Sequence, residues 1–267
     1  MKAISPIRSK TGKKSPAVSA SAVVDFLDTE LRTSSIRDYS CNGLQVEGKP
    51  MVSRIALAVD ACMESYQSAI ENNCQMLIVH HGIIWDGIRA VRGQVRNQMA
   101  YLLQNDLNLY ASHLPLDCHP LYGNNAGLMQ LFSARQTKPF GMYKGTEIGF
   151  EGVLPQSVPL DSIVQILCEK LEAECIVLPF GPQKIKSIAV VSGGGGDALV
   201  EAVTKNVDCF ITGESIHQNY HTALEGKINV IYAGHYHTET PGVKAIGSLC
   251  QKQFGIETHF IDIPSLI

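Results

Sequence analysis

Paired cysteines, long apolar runs and a surplus of either charge are all missing from this sequence. The eight cysteines run from Cys41 to Cys250 without one C-x-x-C pair, so neither a zinc ribbon nor a disulfide scaffold is indicated. They fit buried, reduced thiols of a cytoplasmic protein. No segment approaches the ~20 apolar residues that span a bilayer, and no membrane partner is expected. Lys and Arg number 22 against 25 Asp and Glu, a formal charge of −3, which gives no reason to expect nucleic acid. What is present is ordinary for a soluble globule: 267 residues, 45% apolar and 18% charged. That length suits one large or two ordinary domains.

Met1 to Ala17 carries five Lys or Arg, three Ser and two Pro. It has no apolar core of 7–15 residues, so it reads as a frayed basic tail and not a secretory signal. Beyond it, Val23, Phe26, Leu27 and Leu31 recur at helical spacing up to about Arg32. Turn chemistry around Asn42-Gly43 follows. Then strands and helices alternate: strand 54–59, helix 63–72, strand 75–79, helix 96–107, strand 108–112 and helix 125–132. Residues 136–144, with Pro139 and Gly141, read as a linker. A second alternation runs through strand 146–153, helix 161–171, strands 175–179 and 186–191, helix 197–205 and strands 208–212 and 228–232. A last helix is predicted to start at Thr240-Pro241 and to end at Gly255, before strand 256–263. Short alternating connections imply an α/β protein of two domains with mostly parallel sheets. The first domain takes 18–134 and 228–267, the second 135–227.

The chemistry gathers where strands stop. Gln75-Met-Leu-Ile-Val is a buried strand that ends in His80-His81-Gly82. Neighbouring strand residues face opposite ways, so two adjacent imidazoles converge only if the backbone turns, and Gly82 eases that turn. Strand 108–112 runs into His113-Leu-Pro-Leu-Asp117, strand 208–212 into Gly213-Glu214, and strand 228–232 into Gly234-His-Tyr-His-Thr-Glu239. Parallel strands present their carboxyl ends on one side of a sheet, where α/β proteins place their sites. Mixed imidazole and carboxylate ligation suits a divalent ion such as Zn, Fe, Mn or Ni. Two bridging carboxylates and three imidazoles would hold a pair of ions with positions left for water. His113 could ligate or stand behind a ligand, and either His235 or His237 could be the histidine of the last motif. Asp117 could instead cap a helix. His119, His221 and His259 read as surface or structural residues.

Together His80-His81-Gly, His113-x-x-Leu-Asp117, Thr212-Gly-Glu214 with His217, and Gly234-His-Tyr-x-Thr-Glu239 resemble the NIF-three-like family. Tyr39-x-x-Asn42-Gly-Leu-Gln-Val and Val191-Ser-Gly-Gly-Gly-Gly resemble it too. Its members are dinuclear metal-centre proteins that form rings, also called GTP cyclohydrolase 1 type 2 homologs. The resemblance covers Val18 to the C-terminus. It implies a NIF-three-like fold, two divalent metal ions held by His80, His81, Asp117, His235 and Glu239, and a homohexamer built as a trimer of dimers around an internal cavity. The stretch from Asp117 to His235 is too short for the central domain of longer members. Gly82-Ile-Ile-Trp85 stands where the family continues with Pro-Leu, and His113-Leu-Pro-Leu-Asp where it has His-x-Asn-Leu-Asp. Both departures bear on the pocket wall, and Trp85 is a candidate anchor there or at a subunit contact.

Two functions follow. In one the protein is a metal-dependent hydrolase acting on a nucleotide such as GTP, with Glu214 and His113 as catalytic proton carriers in the wall. In the other it is a non-catalytic metal-binding ring that delivers or senses metal or serves as a macromolecular scaffold. The run Gly193 to Gly196 precedes a helix and could cradle a phosphate, although it lacks the Lys-Ser/Thr ending of a P-loop.

Overall fold

The structure is a computed structural model and describes residues 16–88 and 90–265. The basic tail lies outside the described residues except for Pro16 and Ala17. In chain order the first half runs β1 (Val18–Ser19), α1 (Ala20–Leu31), β2 (Gly43–Val46), β3 (Met51–Val52), β4 (Arg54–Asp60), α2 (Met63–Glu71), β5 (Met76–His81), α3 (Gly93–Gln104), β6 (Asn108–Ala111), α4 (Leu114–Asp117) and α5 (Asn124–Leu131). The rest comprises β7 (Arg135–Tyr143), β8 (Thr146–Pro159), α6 (Leu160–Leu171), β9 (Ile176–Pro179), β10 (Lys184–Val191), α7 (Leu199–Thr204), β11 (Cys209–Thr212), α8 (Asn219–Gly226), β12 (Asn229–Tyr232), α9 (His235–Phe254) and β13 (Glu257–Phe260).

Two sheets form. The first has the order β13-β4-β5-β6-β2 and is parallel except where β2 joins β6. Its faces follow the strand period of two. Ile55, Leu57, Val59, Met76 and Ile78 turn to the core under α1 and α9, while Ala56, Ala58, Leu77 and Val79 turn to the core under α2 and α3. The second sheet is mixed, with the order β7-β8-β10-β11-β12-β9. β10, β11 and β12 are parallel, and the outer strands β7, β8 and β9 pair antiparallel. Strand 228–232 therefore pairs in the second sheet, whereas the sequence reading grouped it with the first. The chain returns to the first sheet only through α9.

Two further sequence expectations are corrected. Residues 136–144 are not a linker, because Arg135–Tyr143 is an edge strand of the second sheet. An edge strand tolerates Pro139, whose missing N–H is not needed by a second neighbour, so Pro and Gly here mark an edge. The last helix begins at His235, well before Thr240-Pro241, and Pro241 lies inside it. Proline inside a helix frees the carbonyl four residues back. Here that carbonyl is His237 O, and Thr240 Oγ1 donates to it at 3.2 Å. A local hydroxyl thus repairs what the proline removes, which lets the helix start early enough to carry two site residues.

Candidate metal centre

The carboxyl ends of both parallel blocks meet at one place. In the first sheet Asp60 pairs with His81 and Val79 with Ala111, so the ends of β4, β5 and β6 are level. In the second, Val191, Thr212 and Tyr232 are level at the ends of β10, β11 and β12. Helix α9 spans the two. Its buried stripe Val243, Ile246 and Cys250 packs on the first sheet, and Glu239 sits one turn earlier on the same stripe. That register carries a carboxylate into the interior, where it is only 3% exposed.

Glu239 is surrounded by imidazoles. Its Oε1 lies 3.4 Å from His80 Nε2 and 3.1 Å from His235 Nε2, and its Oε2 lies 3.4 Å from His81 Nε2. Asp117 Oδ2 lies 3.5 Å from His80 Nε2. Ligand atoms of His80, Asp117 and Glu239 fall within 4.8 Å of one another, and so do those of His81, His235 and Glu239. A third group joins His80, His81 and His113. Each imidazole is held from behind by its other nitrogen. Nδ1 of His80 faces Ser112 O at 2.9 Å, that of His81 faces Asp60 Oδ1 at 2.8 Å, and that of His235 faces Glu214 Oε1 at 2.6 Å. His113 Nδ1 sits 3.0 Å from each oxygen of Asp38. A carbonyl can only accept, so His80 Nδ1 carries a proton and directs Nε2 inward. Metal-binding histidines are oriented by this kind of contact. Asp117 is fixed likewise, its Oδ1 accepting from Asn124 Nδ2 at 2.8 Å and Ser192 Oγ at 2.9 Å.

The donor set fits a divalent cation. His80 Nε2 and Glu239 Oε2 are fully buried and without a hydrogen-bond partner, a costly state for polar atoms unless something else binds them. Burial opposes charge on His80, yet Asp117 and Glu239 outweigh it and push the imidazole up to about 10. His235 is pushed up to about 9, with burial opposed by Glu239 and then Glu214. For Glu239, burial would raise the carboxyl, but His80 and His81 hold it far below the usual range. Negative charge in this buried cluster retains two protons that a cation would displace.

The five residues expected as ligands thus stand together. His237 does not join them, because its Nδ1 turns to Leu171 O at 3.1 Å; His235 is the histidine that faces the cluster. His217 is exposed, and His119 faces Glu30 O. Glu214 stands behind His235, and His113 stands against His80 with ring centroids 5.0 Å apart. Sequence reasoning missed Asp38 and Asp60. Asp60 ends a strand as His81 does, so the strand-end argument reaches it. Asp38 lies in a turn with no such mark. Its carboxylate holds His113 Nδ1 and accepts from Leu114 N–H and Asn42 Nδ2, all at 3.0 Å.

The run Gly193–Gly196 borders the cluster. Gly193 has φ +59°, and a Cβ there would collide with Glu239 Oε1 and come within 3.0 Å of His235 Nε2. A cavity of about 250 Å³ opens beside it, lined by His81, His113, Tyr143, Gly194, His235 and Glu239 among others.

Similar proteins share this frame. A Pyrococcus abyssi protein named GTP cyclohydrolase 1 type 2 homolog is 50% identical over 244 residues, covering 91% of this chain and 97% of its own length. A Deinococcus radiodurans protein of the same name is 38% identical over 244 residues, covering 91% and 92%. Among solved structures, protein ybgI, described as of unknown function, superposes with a TM-score of 0.87 at 33% identity over 94% of this chain and all of its own. The protein TTHA1606 of Thermus thermophilus gives 0.86 at 34% identity, again over 94% of this chain and all of its own. The family model described as Duf34/NIF3 (NGG1p interacting factor 3) matches residues 18–265, and the chain belongs to that family.

Proposed function

We propose that this chain holds two divalent ions and hydrolyses a nucleotide. His80 and Asp117 would hold one ion, His81 and His235 the other, and Glu239 would bridge them. The observation that carries this reading is that two three-residue groups share Glu239, whose oxygens face imidazoles on both sides. When bound, such ions supply Lewis acidity and lower the pKa of water towards ~7. The relatives' name supports GTP as the molecule to test. In that reaction water adds across the C=N bond of the base's imidazole ring, hydroxyl to the carbon and a proton to that nitrogen; the carbon's other C–N bond then breaks as the hydroxyl becomes a carbonyl, and the leaving nitrogen takes the second proton. His113, whose Nδ1 faces Asp38, would receive a proton of the attacking water and pass it to that nitrogen. Glu214 keeps His235 in its inward tautomer and orientation. Buried ligands with oriented partners would equally serve a ring that binds metal without turnover.

Metal analysis and GTP turnover on one purified sample test the proposal. Two ions per chain, GTP consumption and loss of activity on chelation are expected. Glu239→Gln should empty both positions, while Asp117→Asn should remove only the His80 ion, halving the content. Full metal with no turnover of any nucleotide would leave the non-catalytic ring. Full metal in Glu239→Gln would remove the bridging role.

A further inference from the structure

Next to the metal cavity lies a second cavity of about 280 Å³. Leu114 and Tyr143 line both, so the two are neighbours across a shared wall. The second is built from the turn at residues 37–39 on the first-sheet side and the tip of the β7–β8 hairpin on the other. Lys144 occupies that tip with φ +49°, followed by Gly145 at +88°. Two positive φ values in a two-residue turn favour Asn-Gly, and a lysine there is held at a cost. Its ammonium is set 3.6 Å over the Tyr39 ring and 4.9 Å from the Tyr143 ring centroid. Arg37 lines the same cavity, is exposed, and has no carboxylate partner among the described residues. The cavity's carboxylates are otherwise engaged: Asp38 accepts from Asn42, Leu114 and His113, and Asp86 has an interaction of its own. Two cations and two phenol rings are therefore left facing a space beside the metal cluster.

We infer that Arg37 and Lys144, with Tyr39 and Tyr143, form a subsite for the phosphate arm of a nucleotide-class ligand whose reacting end lies at the metal centre. The inference rests on the hydrolytic reading of that centre for its polarity, since it takes the metal side as the reacting end. Arginine and lysine bind phosphate oxygens by charge-assisted hydrogen bonds. The tyrosine rings offer flat apolar surface and keep Lys144 in place by cation–π attraction. Neither cation touches the metal cluster, so their removal should leave metal binding intact.

Calorimetric titration of metal-loaded protein with GTP, guanosine and inorganic triphosphate tests the subsite. GTP and triphosphate should bind, and guanosine should bind more weakly than GTP. The double variant Arg37→Ala/Lys144→Ala should keep its metal and lose about tenfold or more in affinity for GTP and triphosphate, with guanosine unchanged. Lys144→Arg should retain most of the affinity. Equal GTP affinity in the double variant and the parent would overturn the subsite, as would guanosine binding as tightly as GTP. Binding that depends on both cations without GTP turnover would sink the hydrolytic reading and sustain the subsite. Turnover with a KM indifferent to both cations would do the reverse.

Discussion

At the scale of single residues, close approach and trapped protons decide the site. Gly193 carries its backbone against Glu239 and His235, where a methyl group has no room and φ is positive. Gly193→Ala is expected to lower metal content and to destabilise the protein by ~1–3 kcal/mol, read by metal analysis and thermal unfolding. Gly194→Ala is the control, since its Cβ would meet only Glu214 Oε2 at 3.7 Å and its φ is ordinary. It should change neither quantity. Protons give a second test. In the metal-free chain His80 is held up to about 10 and His235 up to about 9, so both are charged at pH 7. Metal must displace those protons, and raising the pH makes that easier. Zinc titrated at pH 7 in buffers of different ionisation heat should release close to two protons, and its apparent affinity should rise from pH 6 to 8. The stability of the metal-free chain follows the same groups. The raised histidines contribute fully below their ordinary value of 6.5 and lose that contribution as pH climbs through 9 to 10. Depressed Glu239 contributes above its ordinary 4.5 and loses it in stronger acid. Melting temperature without metal should therefore fall between about pH 6.5 and 10 and level off above, and a flat profile across that window would contradict the charge assignment.

At the scale of elements, α9 joins the two halves of the site. It carries His235 and Glu239, packs on the first sheet through Val243, Ile246 and Cys250, and lies against α5. Gly127 of α5 is the close point, because a Cβ there would sit 2.6 Å from Pro241 Cβ. Gly127→Ala should push α5 from α9 and cost ~1–3 kcal/mol by overpacking, measured as a lower denaturant midpoint. An unchanged midpoint would show that α5 and α9 can part freely. The same helix shows where local sequence misleads. Thr240-Pro241 has the form of a helix start, yet the start is His235, because Thr240 can bond the carbonyl that Pro241 frees. Pro139 misleads in the same way, marking an edge strand where a linker was expected.

At the scale of the molecule, the two sheets supply the ligand cluster from both sides. His80 and His81 come from the first, and His235 and Glu239 follow the last parallel strand of the second. Neither half alone carries a complete three-residue group around Glu239. The family resemblance further implies a homohexamer, and native mass measurement should give six chains, metal-loaded. A monomer at micromolar concentration would contradict that expectation. Single tryptophan Trp85, 39% exposed with its ring centroid 5.0 Å from that of His113, would report assembly or ligand entry by fluorescence.

Local sequence was sufficient to show that strands end in imidazoles and carboxylates, since apolar runs, their lengths and the residues after them are read along the chain. Joined to the family resemblance, those strand ends named His80, His81, Asp117, His235 and Glu239. Periodicity likewise located most strands and helices, because the periods of two and 3.6 are set by backbone geometry. What those residues touch was settled only by the packed fold. It gave the physical reason why His237 stands aside from His235, since the former reaches Leu171 O across the fold. It placed Asp38 behind His113, a pairing over 75 positions that no local pattern encodes. It also moved strand 229–232 into the second sheet, because strand pairing depends on which neighbour offers a free edge, and a sequence does not carry that information along its own length.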